Sequence, residues 1–146
     1  MHEPRSLVLR ETLLAQAAES CLELISVTQG LAPHVAEPLC KAANEASDYL
    51  IGSQDPDVPG QCAMDGLCIF HHAYEEAAGL PHDVDRCCKN VSRKIRDVLV
   101  AEVKSVIRSN DRALFLQRID ELYRAEDTVP RELRAQLLLA WHKWVH

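Results

Sequence analysis

Four of the chain's six cysteines and three of its seven histidines fall in one stretch: Cys62, Cys68, His71, His72, His82, Cys87 and Cys88. Thiolate and imidazole together hold soft or borderline metal ions, and low-pKa thiols do redox chemistry. If Cys68 to Glu76 is helical, Cys68, His71, His72 and Glu75 share one face, at offsets of three, four and seven. Residues at three- and four-residue steps have their Cβ atoms ~5–6 Å apart, within reach of one ion.

Gly79, Leu80 and Pro81 break that helix, so the next should pair with it antiparallel. At ~1.5 Å rise per residue, His72 lies ~10 Å before the break and Cys88 ~8 Å after it, nearly level. The expected ligand set is therefore Cys68, His72 and Cys88, with Glu75 or a water as the fourth donor, and Zn²⁺ or Cu(I) as the ion. Two observations weigh against it. The spacing lacks a close Cys-x2–4-Cys knuckle. Free cysteine is also a small hydrophobe often found in cores. Cys21 and Cys40 fall on or beside apolar helical faces and are read as packing residues.

Other chemistry is poorly supported. The sequence has no Gly-rich phosphate loop, no Gly-x-Ser-x-Gly elbow and no ExxH pair of a di-iron bundle. His82-Asp83 follows Leu-Pro at a helix start, where either residue can serve as a cap. His142 and His146 are four apart but close the chain. These absences favour a protein that is not an enzyme and that carries no cofactor beyond a possible Zn or Cu.

The 146 residues carry a net charge of −6, with 47% apolar and 26% charged residues. That balance has the wrong sign for a nucleic-acid partner. The local run Lys89, Arg93, Lys94 and Arg96 reads as a solvated helix face. No apolar run approaches the ~20 residues of a membrane span. The first residues do not read as an export signal, so the cysteines are expected as reduced thiols in a cytoplasmic protein.

Hydrophobic periodicity predicts helices over about 6–29, 38–51, 63–78 and 82–109, a fifth from Asn110 or Asp111, and a sixth starting at Pro130. Residues 52–61, rich in Pro, Gly and Asp, read as a loop and the best candidate for a mobile segment. No strand pattern occurs. The expected fold is all-α: a single-domain helical bundle of about six helices, a four-helix core with extra helices packed on it.

The last helix presents Leu133, Leu137, Leu138, Trp141 and Trp144 at helical spacing. Leu133, Leu137 and Leu138 are expected in the core. Trp141 and Trp144, in the terminal Trp-His-Lys-Trp sequence, are the candidate partner-binding residues, because aromatic anchors dominate binding hot spots. The partner would be another protein or a second copy. The functional expectation is thus a non-catalytic interaction or regulatory protein, with a metal- or redox-responsive bundle as the alternative.

Overall fold

A computed structural model describes residues 3–53 and 62–145, with side chains from residue 10 onward. The expected loop lies mostly in 54–61, outside the described residues, as does His146. Among the described residues there are seven α-helices and no strand: α1 Glu3–Val27, α2 Pro33–Ser53, α3 Ala63–Glu76, α4 His82–Ser109, α5 Arg112–Gln117, α6 Ile119–Ala125 and α7 Arg131–Val145. A 3-10 turn, Thr28–Gly30, follows α1.

Local chemistry sets most boundaries. Thr28 Oγ1 donates to the Ile25 carbonyl, and the Leu31 N–H closes the turn on the Thr28 carbonyl. The second helix starts at Pro33, earlier than the expected 38, and takes Pro38 into its interior. Pro38 has no N–H to offer the His34 carbonyl. Both residues are exposed, so water can serve that carbonyl. Gly79, at φ +68°, turns the chain between α3 and α4.

Asn110, at φ +52°, ends α4 in the left-handed conformation common after a helix C-terminus. Asp111 then caps α5, accepting from the Leu114 N–H at 3.2 Å. The expected fifth helix is two: Arg118, at φ −100° and ψ 9°, separates α5 from α6. No Gly or Pro marks that break in the sequence.

The chain divides into two compact units, Met1–Val98 and Leu99–His146, with the division inside α4. In the first, α2 packs on α3 and α1, and α1 on α4. Its core is Cys21, Leu24, Leu39, Ala43, Ala46, Leu50, Leu67, Phe70, Val84, Cys88, Val91 and Ile95. At Gly66 α3 comes close to α2: a Cβ there would stand 3.1 Å from the Ala46 carbonyl oxygen. The second unit buries Leu99, Val103, Phe115, Leu122, Ala125, Val129, Leu133 and Leu137. Leu138, expected among them, is 45% exposed. It lies ~100° round α7 from Leu137, and the helix buries a narrower face than the run of three leucines suggests.

Candidate functional site

The helix α3 places Cys68, His71, His72 and Glu75 on one exposed face, as the spacing implied. His71 Nε2 pairs with Glu75, and His72 Nε2 lies 3.6 Å from Glu76, each one turn along. The two imidazoles differ in freedom: the side chain of His71 is 57% exposed and that of His72 77%.

The thiols of the window do not gather there. Cys88 has no exposed surface and sits on the inner face of α4, between Val84 and Val91 in the apolar stripe. Burial, then the Asp85 and Cys87 charges, pushes its thiol up to about 12. The structure therefore does not bring Cys88 to Cys68, His72 and Glu75. The level heights were one condition for convergence. The other was facing direction, and α4 turns Cys88 into the core. Cys62 is also buried, its Sγ donating to Asp65 Oδ2 at 3.1 Å at the start of α3. Among the described residues no three His, Cys, Asp or Glu side chains are assembled as a metal site.

What joins α3 to α4 is a different pair. The Tyr74 hydroxyl donates to Asp85 Oδ1, and Lys89 Nζ lies 3.1 Å from Asp85 Oδ2. The Tyr74 bond and then Lys89 hold the Asp85 carboxyl below its ordinary value. The same bond to Asp85 pushes the Tyr74 hydroxyl up to about 12, helped by desolvation. The sequence pattern gave no sign of this pair, because the partners sit eleven residues apart on two helices.

All six cysteines are free. Cys21 is buried on α1, and burial raises its thiol against a smaller opposing effect of a hydrogen bond with Ser47. Cys40 is half-buried, 3.2 Å from Thr28 Oγ1. Cys87 opens instead on a groove of about 700 Å³ between α1 and α4, lined by Glu23 and Val27 on one side and Arg86, Asn90 and Arg93 on the other. Its cations are partly answered within the helix: Arg86 bonds Asp83 at 3.1 Å and Arg93 bonds Asn90 at 2.6 Å.

In the second unit α7 carries an exposed apolar strip. Leu138, Trp141 and Val145 lie at offsets of three and seven, on one face of the helix. Leu138 is 45% and Val145 42% exposed, and Trp141 is half-buried. The Trp141 ring lies 6.1 Å from that of Tyr123, which is itself 66% exposed. Leu139, beside the strip, is 71% exposed. Trp144 is half-buried, with Lys143 Nζ 4.5 Å from its ring centre. The last turn is held: Arg112 Nε donates to the Trp144 carbonyl at 3.3 Å, and Lys143 Nζ to Asn110 Oδ1 at 2.6 Å. The sequence pointed to the tryptophans but not to Tyr123 or Leu139.

The class defined by these features is an all-α protein of two compact helical units, with no described helix long and apolar enough to cross a membrane. Comparison with protein-family models, curated proteins and solved structures finds no significant match.

Proposed function

We propose that the protein is a non-catalytic interaction protein that binds a protein partner through the outer face of α7. The observation that supports this reading is the exposed strip of Tyr123, Leu138, Trp141 and Val145. Large apolar side chains gathered at the surface mark binding sites more often than scattered ones do. Trp and Tyr supply much buried area at low entropic cost, which is why they recur as anchors. Trp144 is half-buried, and its carbonyl accepts from Arg112 in the final turn.

The strip is tested by affinity capture from the cells that express the protein, comparing the wild type with Leu138→Glu and Trp141→Ala. One stoichiometric partner kept by the wild type and lost by both variants supports the reading, provided their far-UV circular dichroism is unchanged. Tryptophan emission should shift to the blue when the recovered partner is added to the wild type. An identical set of captured proteins for all three chains refutes it.

A further inference from the structure

We propose that Cys68 and His72 form half of a Zn²⁺ site that a second copy of the chain completes. Each copy supplies one thiolate and one imidazole from the exposed face of α3, giving a tetrahedral Cys2His2 centre between two α3 helices.

The argument starts from which donors can reach one ion. Cys68 and His72 are four residues apart on α3, and both are exposed. That step puts their Cβ atoms ~5–6 Å apart. Zinc bonds of ~2.3 Å to sulfur and ~2.0–2.1 Å to nitrogen fit such a pair. His71 is the wrong donor to add. It lies ~100° round the helix from His72 and is engaged by Glu75. His72 is the looser and more exposed of the two, with Glu76 3.6 Å from its Nε2. Zinc-bound imidazoles commonly carry a carboxylate on the other ring nitrogen, which leaves Nδ1 of His72 for the ion.

Among the described residues no other thiol joins this pair, and Glu75 on the same face is engaged by His71. Cys88 and Cys62 are buried, and Cys87 opens on the α1–α4 groove. This accords with the lack of any assembled three-residue group among the described residues. A closed zinc site takes four protein ligands, and a two-fold pairing doubles two into four. On coordination each Cys68 thiol gives up its proton to solvent, and the two thiolates balance the charge of the ion. Residues 1–98 carry 15 Asp and Glu against 8 Lys and Arg, a net −7, so the field around this unit gathers cations.

The test is titration of the metal-free, reduced full chain with Zn²⁺ alone, read by sedimentation velocity and elemental analysis. The expected result is a monomer that becomes a dimer holding one zinc per two chains and returns to monomer with EDTA. Co²⁺ in its place should give the visible absorption of a tetrahedral thiolate site. Cys68→Ser and His72→Ala should each abolish both effects, while His71→Ala and Cys87→Ser keep them. All four positions lie outside the buried core, so folding is checked by circular dichroism. Absence of zinc binding, one zinc per monomer without pairing, or zinc-dependent pairing that survives Cys68→Ser overturns the proposal.

Discussion

At Gly66 the backbone of α3, the helix that carries the Cys68 and His72 face, lies close against α2. An added Cβ would stand 3.1 Å from the Ala46 carbonyl oxygen, 3.4 Å from Tyr49 Cβ and 3.5 Å from Ala46 Cα. Few real Cβ atoms approach another heavy atom this closely, so the oxygen contact is tight. That oxygen belongs to the α2 backbone and cannot turn aside as a side-chain tip would. Two effects oppose each other in Gly66→Ala. Alanine is better in a helix interior by about 1 kcal/mol. Overpacking a tight contact costs about 1–3 kcal/mol. The net expectation runs from no change to a loss of about 2 kcal/mol. Gly66→Val has less propensity gain and two further methyl groups in the same gap, so its loss should reach about 3 kcal/mol. Gly79 is the control. Its φ is +68° and nothing lies within 4 Å of an added Cβ. Gly79→Ala should lose about 1–2 kcal/mol through backbone strain alone. Asn, which tolerates that conformation, should recover part of the loss at 79 and none at 66. Urea unfolding followed by far-UV circular dichroism reads all of these as midpoint shifts. A Gly66→Val variant with the wild-type midpoint would refute the close approach of α2 and α3.

Three further outcomes follow from the same coordinates. Native alkylation followed by mass spectrometry should label Cys68 first and half-buried Cys40 and Cys87 more slowly. Cys21, Cys62 and Cys88 should react only on unfolding, when all six are modified; early labelling of Cys88 would contradict its place in the core. The Tyr74–Asp85 link should shape stability at both ends of the pH scale. The depressed Asp85 value contributes stability above about pH 4 that is lost as pH falls through the folded value. The raised Tyr74 value contributes stability below about pH 10 that is lost as pH rises through about 12. Tyr74→Phe should therefore melt below the wild type near neutrality and converge with it at both extremes, and a constant gap at every pH would sink this account. Asp111→Ala removes the cap on α5 and should cost about 1 kcal/mol by urea unfolding, with Asp111→Asn retaining most of it; equal loss in both would show that the cap is not the cause.

The helices were legible because their signals are local. The α4 stripe of Val84, Val91, Ile95, Val98, Leu99, Val103, Val106 and Ile107 repeats at the helical period, and all but half-buried Ile107 are buried. Gly79 and Pro81 mark its start, and Asn110 with Asp111 its end. Less local features were misread. The second helix was expected from about residue 38, yet it starts at Pro33 and takes Pro38 into its interior. Arg118 breaks the fifth helix with no residue type to announce it.

Spacing along one helix fixes which side chains share a face, so the sequence alone determined that Cys68, His71, His72 and Glu75 lie together on α3. It also determined the all-α class, through a period that needs only neighbours three and four residues away. Which face turns inward is decided by other helices, and only the tertiary structure could supply that. It took Cys88 into the core while leaving Cys68 and His72 in solvent, although spacing alone placed His72 and Cys88 at nearly the same height. It buried Leu137 and left Leu138 and Leu139 outside, although all three are leucine. Residue type sets how much free energy burial can release, but the packing partners available to each helix set which of several equal candidates is buried.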